Sequence, residues 1–270
     1  MKNIFFIIGS VRSATTAVAK IFTNSTNSEI FIEQEPKLCI EARNLYKKAI
    51  NKPMEVIKEV KERHIKSVID RGLIYGDKNP NYLPFIPYID NLWQPKFIFI
   101  VRDGRDVVRS MMDWHNISRG NIFGMREDED GSKIISPEQD WWDYSRLRPN
   151  PDEFYFGQWR NMNRFEKCSW YWNEFNDQML NYSSRLDKER WRLINVNTIK
   201  VSDFEAIFNF LGLRGFNLKK TEKIFASGIN SPMDKAGVLK EFPDWLSWSD
   251  DQMKIFNKYA KDMMKKFGYY

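Results

Sequence analysis

The sequence predicts an α/β fold in three layers, a central parallel sheet flanked by helices. Short apolar runs such as Ile4–Ile8 and Phe97–Val101 alternate with longer helical segments, the pattern of buried parallel strands joined by crossover helices. A length of 270 residues with 42% hydrophobic content supports a sizeable core, and 15% aromatic content excludes a wholly disordered chain. No internal repeat or low-complexity linker divides the sequence. Residues 1–270 therefore read as one domain, with an irregular, aromatic-rich insertion at about 116–159.

Ile4–Ile8 is the first strand, and Gly9–Thr16 turns into a helix running to about Phe22. Ile30–Ile32 is a short strand. Pro53–Arg71 spaces Ile57, Val60, Val68 and Ile69 for a charged amphipathic helix. Leu73–Tyr75 is a further short strand, and Pro80 suits the first turn of a following helix, where a missing N–H costs little. Phe97–Val101 is the strongest strand after the first and enters a helix at Asp103. Phe165, Trp172 and Met179 fall seven apart and form a core-facing stripe. Leu193–Val196 is a late strand, and Asp203–Leu211 a helix that Gly212 stops. Ser249–Phe267 closes the chain as a helix with a Ser cap and a Lys-rich last turn. Asn116–Trp159 and Gly228–Trp248, the latter broken by Pro232, Gly237 and Pro243, resist this scheme. Each suits a cover over an active site as well as a surface excursion.

Composition narrows the function classes. Two His and two Cys, none closely spaced, leave little for a structural zinc cage, and Cys39 and Cys168 read as buried free thiols of a reducing compartment. No apolar run reaches the ~18 residues of a membrane span. The five-residue run Ile4–Ile8 is also shorter than the core of a secretory signal, so a cytoplasmic location is expected. A formal charge of +6 points to an anionic partner without saying which.

The turn Gly9-Ser10-Val11-Arg12-Ser13-Ala14-Thr15-Thr16 joins a strand to an apolar helix. Unpaired N–H groups at such a helix start, aligned with the positive end of its dipole, bind phosphate oxygens. Ser13, Thr15 and Thr16 add hydroxyls, and Arg12 adds a permanent cation. A nucleotide-hydrolysing loop, G-x-x-x-x-G-K-[ST], would need Gly and Lys where this chain has Ala14 and Thr15, which disfavours an ordinary ATPase or kinase. A plain capped strand-to-helix turn uses the same residues.

A second such turn follows Phe97–Val101. Arg102 ends the strand, Asp103 starts the helix, and Ser110 lies about two turns along it. Arg102 and Ser110 can converge on one phosphate lying beside the helix. Arg102, Asp103, Arg105, Asp106 and Arg109 can equally form a surface lattice of ion pairs.

These two motifs together resemble the sulfotransferases that use 3′-phosphoadenosine 5′-phosphosulfate (PAPS). Arg12-Ser13-Ala14-Thr15-Thr16 is similar to the R-S-G-T-T loop of the tyrosylprotein and bacterial branches. Val101-Arg102-Asp103-Gly104-Arg105-Asp106-Val107-Val108-Arg109-Ser110 resembles the R-D-x-R-D-x-x-x-S motif. Gly76-Asp77-Lys78-Asn79-Pro80, Asn209-Phe210-Leu211-Gly212-Leu213 and Lys266-Phe267-Gly268-Tyr269 resemble further segments of those branches. Val196-Asn197 departs from the Tyr-Glu pair common in the late strand, and Lys235-Ala236-Gly237 is only faintly similar to the R-K-G loop.

The resemblance implies a three-layer P-loop-like fold and transfer of a sulfuryl group to an acceptor hydroxyl by in-line displacement, with 3′-phosphoadenosine 5′-phosphate (PAP) as product and no metal required. It implies that Arg12, Ser13, Ala14, Thr15 and Thr16 hold the 5′-phosphosulfate, that Arg102 and Ser110 hold the 3′-phosphate, and that Lys78 reaches the transferring group. Cytosolic relatives place a catalytic His two residues after the Lys, where this chain has Pro80; His64 reads as a surface residue, and His115 follows the second motif. Other branches use a Glu soon after the first helix, which nominates Glu33 or Glu35. The two are spaced to share a face of an extended segment, and the following Pro36 favours Glu35 as the base. The acceptor, a carbohydrate, small molecule or peptide, is not specified; Trp114, Trp141, Trp142 and Trp159 could stack on it or fill a core. The alternatives are a P-loop phosphotransferase with a degenerate loop, and a nucleic-acid-binding module. The interleaving of acids with bases argues against the second.

Overall fold

The computed structural model describes residues 3–33, 35–116, 120–121, 123, 144–229 and 242–270. Five parallel strands form the sheet, β1 (Ile4–Gly9), β2 (Ser28–Ile32), β3 (Ile74–Lys78), β4 (Lys96–Val101) and β5 (Trp191–Asn195), in the order β2-β3-β1-β4-β5. The longer helices are α1 (Thr15–Phe22), α2 (Pro36–Tyr46), α3 (Pro53–Ile69), α4 (Ile86–Trp93), α5 (Gly104–Asp113), α6 (Arg164–Ser183), α7 (Asp203–Leu211), α8 (Leu218–Ile229) and α9 (Asp250–Lys266), with a single helical turn at Phe156–Trp159. Strand alternation splits the core into two. Phe6, Ile8, Phe97 and Phe99 join residues of α2, α3, α4, α6 and α9 on one face. Phe5, Ile7, Ile98 and Ile100 join residues of α1 and α7 on the other. The predicted layering of helices about a parallel sheet is what forms.

Register brings the two candidate anion-site turns together. Ile7 pairs with Lys78, and Gly9 with Ile100, so the carboxyl ends of β3, β1 and β4 leave the sheet side by side. Such an edge is where open α/β sheets bind ligands. Gly9 makes the first turn possible: a Cβ there would lie 2.7 Å from both the Ile100 carbonyl oxygen and Thr15 Cγ2.

β3 extends beyond the predicted Leu73–Tyr75 to Lys78. Gly76-Asp77-Lys78 looks like a turn, yet Asp77 and Lys78 are each 2% exposed and carry their charges in ion pairs. α2 and α8 are additional to the predicted helices. α2 buries only Leu38, Cys39, Ala42 and Arg43, and its start is set by Pro36. The stripe of Phe165, Trp172 and Met179 is buried on α6 as expected. Ser249 and Gln252 form a capping box at the start of α9. Cys39 and Cys168 are buried and unbonded to each other. Burial pushes the Cys39 thiol up to about 11, which keeps it inert.

Candidate active site

The first turn is built by backbone geometry that its side chains do not favour. The Ser13 N–H and hydroxyl both donate to the Ser10 carbonyl oxygen, at 3.2 and 2.5 Å. The tight turn they close puts Arg12 at φ 66° and Ala14 at φ 65°. Ala14 is the N-cap of α1 with no side-chain cap, and the first bond into the helix is Val18 N–H to the Ala14 carbonyl at 3.1 Å. The N–H groups of Thr15, Thr16 and Ala17 thus precede the helical ladder and sit at the positive end of its dipole. The left-handed conformation costs a non-glycine residue roughly 1–2 kcal/mol, against about 0.5–1 kcal/mol of extra chain entropy for glycine. Ala14→Gly should therefore stabilise the protein by up to about 1 kcal/mol, read as a rise of about 2–4 °C in Tm. A lower Tm would show that the turn is not under this strain.

Cations converge on this turn. The Arg12 Nε donates to Ser110 Oγ at 2.9 Å, and Arg102 Nη1 donates to the Arg12 carbonyl oxygen at 3.3 Å. The residues nominated separately for the 5′ and 3′ phosphates thus touch each other. Burial, then Arg102, Arg146 and Arg109, pushes the Arg12 guanidinium down to about 10, with Glu33 opposing. Arg146 sits in the unmatched middle segment and carried no sequence signal, and Arg109 was legible only as a member of the ion-pair lattice. That lattice forms in part, with Arg102–Asp106 at 3.7 Å and Arg109–Asp113 at 3.0 Å. Among the described residues it leaves the buried Nε atoms of Arg102 and Arg109 without hydrogen-bond partners. Buried guanidinium donors left over after ion pairing fit an anionic ligand.

Lys78, at the end of β3, is buried and donates to Thr16 Oγ1 at 3.1 Å and to the Glu33 carboxylate. Burial lowers its pKa, with Glu33 the main opposing influence. Glu33 follows β2, where its N–H continues the ladder to the Lys78 carbonyl at 2.9 Å. Its φ of 51° breaks the two-residue alternation, so Glu33 and Glu35 do not share a face as their spacing predicted. Glu33 turns to Lys78. Glu35, favoured from the sequence, lies instead beside Lys61 Nζ at 3.6 Å and His64 Nε2 at 3.7 Å. His64 is half exposed, as expected of a surface residue.

The second turn is braced from behind. Asp103 caps α5 through the Arg105 N–H at 2.9 Å, and its own N–H donates to Asn197 Oδ1 at 2.8 Å. Asn197, the departure from the family pair, thus holds the entry to α5. Gly104 packs on Trp172, whose ring lies 2.8 Å from where a Cβ would stand. Trp172 Nε1 donates to the Arg102 carbonyl oxygen at 3.2 Å. The core stripe of α6 therefore positions Arg102.

Trp159 is buried in the core against Trp170 and Phe123 and is not an open stacking surface, whereas Trp114 is partly buried against the same core. Trp141, Trp142, Lys235, Ala236, Gly237 and the side chain of His115 lie outside the described residues. Among the described residues no helix is long and apolar enough to cross a membrane, and no group of three His, Cys, Asp or Glu could hold a metal ion.

No family model matches this chain, and no curated protein matches it in sequence. Solved structures do. The mouse sulfotransferase SULT7A1, complexed with PAP, is similar at 14% identity and a TM-score of 0.51, covering 98% of this chain and 85% of its own. The sulfotransferase domain from the curacin biosynthetic pathway is 13% identical, with a TM-score of 0.48 and coverage of 100% and 99%. The likeness to the mouse enzyme, together with the five-stranded parallel sheet and its flanking helices, shows that this chain has the sulfotransferase fold.

Proposed function

We propose that this chain is a single-domain sulfotransferase, taking PAPS as donor and a hydroxyl compound as acceptor. The observation that carries the reading is the meeting of Arg12, Arg102 and Ser110 at the carboxyl edge of the sheet, with Arg109 close enough to repel Arg12 and two buried guanidinium nitrogens unpartnered among the described residues. Such a cluster repels itself until an anion joins it. Arg102 and Ser110 would hold the 3′-phosphate; Arg12, Ser13, Ala14, Thr15 and Thr16 would hold the 5′ end. The donor supplies the sulfuryl group and leaves as PAP.

The chain's own residues do the rest. Glu33, the carboxylate beside Lys78, takes the acceptor's hydroxyl proton as a new S–O bond forms and the old one to phosphate breaks. Arg12, Lys78 and the N–H groups of α1 neutralise the charge that grows on the departing phosphate. Arg12 bonds Ser110 in the resting structure, so its guanidinium nitrogens are shared between the two ends of the donor site. Side-chain cations can fill the role that magnesium has in kinases.

Thermal shift tests the reading. PAP at about 100 times its Kd should add ~2.7 kcal/mol, a rise of about 5–10 °C in Tm for a chain of this size. Arg102→Ala should abolish most of it. ATP with magnesium, and single-stranded DNA, should do far less. A shift with ATP–magnesium alone would favour the degenerate-loop phosphotransferase, and one with DNA alone the nucleic-acid module.

A further inference from the structure

Beneath the site, on the opposite face of β3 from Lys78, lies a second set of charges that the proposed reaction does not use. Lys61 of α3 is 2% exposed, an unusual place for a lysine. Its Nζ lies 2.7 Å from Asp77 and 3.6 Å from Glu35, with the Tyr82 ring 5.6 Å away. Tyr75 OH also donates to Asp77. A buried ammonium persists only where such partners compensate it, so this cluster holds Glu35 against α3.

Glu35 is two residues beyond Glu33 and is the N-cap of α2, with no side-chain bond of its own to the helix start. Between β2 and α2 the chain passes through the left-handed Glu33, a conformation that surrounding contacts must maintain. Glu33 is held by its N–H bond to the Lys78 carbonyl, and Glu35 by Lys61. We propose that Glu35 and Lys61 form a positioning clamp. By fixing the chain after Glu33, the clamp sets the turn that points the Glu33 carboxylate at Lys78. Glu35 then acts through Glu33, without touching the reacting atoms. The inference rests on the reading of Glu33 as the base.

The test is a double-mutant cycle on turnover with PAPS, read beside PAP affinity. Glu35→Gln keeps the side chain's shape and removes its charge. It should lower kcat by about 10- to 100-fold, the range expected from a small misplacement of a reacting group. The KM for donor and the Kd for PAP should stay within about twofold, since the clamp leaves the phosphate turns alone. In the Glu33→Gln background the same change should cost nothing further. Lys61→Met combined with Asp77→Asn removes the buried cation without stranding a buried carboxylate, and should reproduce the Glu35→Gln loss. Amide hydrogen exchange on the enzyme gives a readout without turnover: Glu35→Gln should speed exchange in residues 28–33 and leave β1 unchanged.

Multiplying losses in the double mutant would overturn the proposal, as would unchanged exchange together with unchanged kcat. A larger loss from Glu35→Gln than from Glu33→Gln would make Glu35 the base and end the clamp idea. Absence of PAP binding and PAPS turnover in the unmodified protein would defeat the sulfotransferase reading instead, and the exchange experiment would still decide whether the clamp exists.

Discussion

Lys78→Ala is expected to lower turnover by about 100-fold or more, and Arg12→Ala by a similar factor, the size of effect seen when one donor to a developing oxyanion is removed. Lys78 is buried and Arg12 partly buried at the carboxyl edge of the sheet, where bulk water is a poor substitute for them. Steady-state kinetics with PAPS should show the loss mainly in kcat, because the charge they offset grows as the phosphate leaves. Unchanged turnover in either variant would remove that residue from the mechanism. Stability should move the other way at Lys78. Burial lowers the Lys78 pKa, so the protonated amine costs folding free energy at neutral pH. That cost fades only as pH rises through the lowered value toward the unfolded one. A Lys78→Met variant, matched in volume, should therefore keep or raise its Tm while turnover still collapses. Stability and activity moving in opposite directions is the mark of a strained functional site.

The parts of the site that could be read in the sequence are those encoded locally. β1 and β4 announce themselves as apolar runs, and each turn after them lists its own candidate donors within a few residues, so Arg12, Thr16, Arg102 and Ser110 are legible as candidates in order. That Arg12 touches Ser110 could not be read, because 98 positions separate them and only sheet register brings them together. Arg146 escaped for the same reason, lying in a segment with no periodicity to place it. The expectation that Glu33 and Glu35 share a face fails at one dihedral angle. Period-two reasoning holds for extended backbone, and the left-handed Glu33 bonds Lys78 of β3, a contact that no local pattern records. Lys61, spaced like any polar residue of an amphipathic helix, is buried because Asp77 waits beneath it.

Glu33→Gln should lower turnover by about 10²–10⁴-fold, the usual worth of a positioned general base. The amide keeps the shape of the side chain and can still accept from Lys78 Nζ, so the turn after β2 survives, but it cannot take a proton. Removing the charge has a second consequence that separates this loss from misfolding. Glu33 is the acid that opposes the lowering of the pKa of both Arg12 and Lys78. Without it the ligand-free protein carries a more self-repelling cluster and should melt earlier. PAP, which supplies the missing negative charge, should then bind as tightly as before or more tightly and produce a larger thermal shift. A variant that turns over far more slowly while gripping the product at least as well has lost a reacting group and kept its site. If Glu33→Gln instead leaves kcat within about twofold, the base lies elsewhere. A retained kcat would also leave the buried pair with Lys78 as no more than an electrostatic brace for the donor.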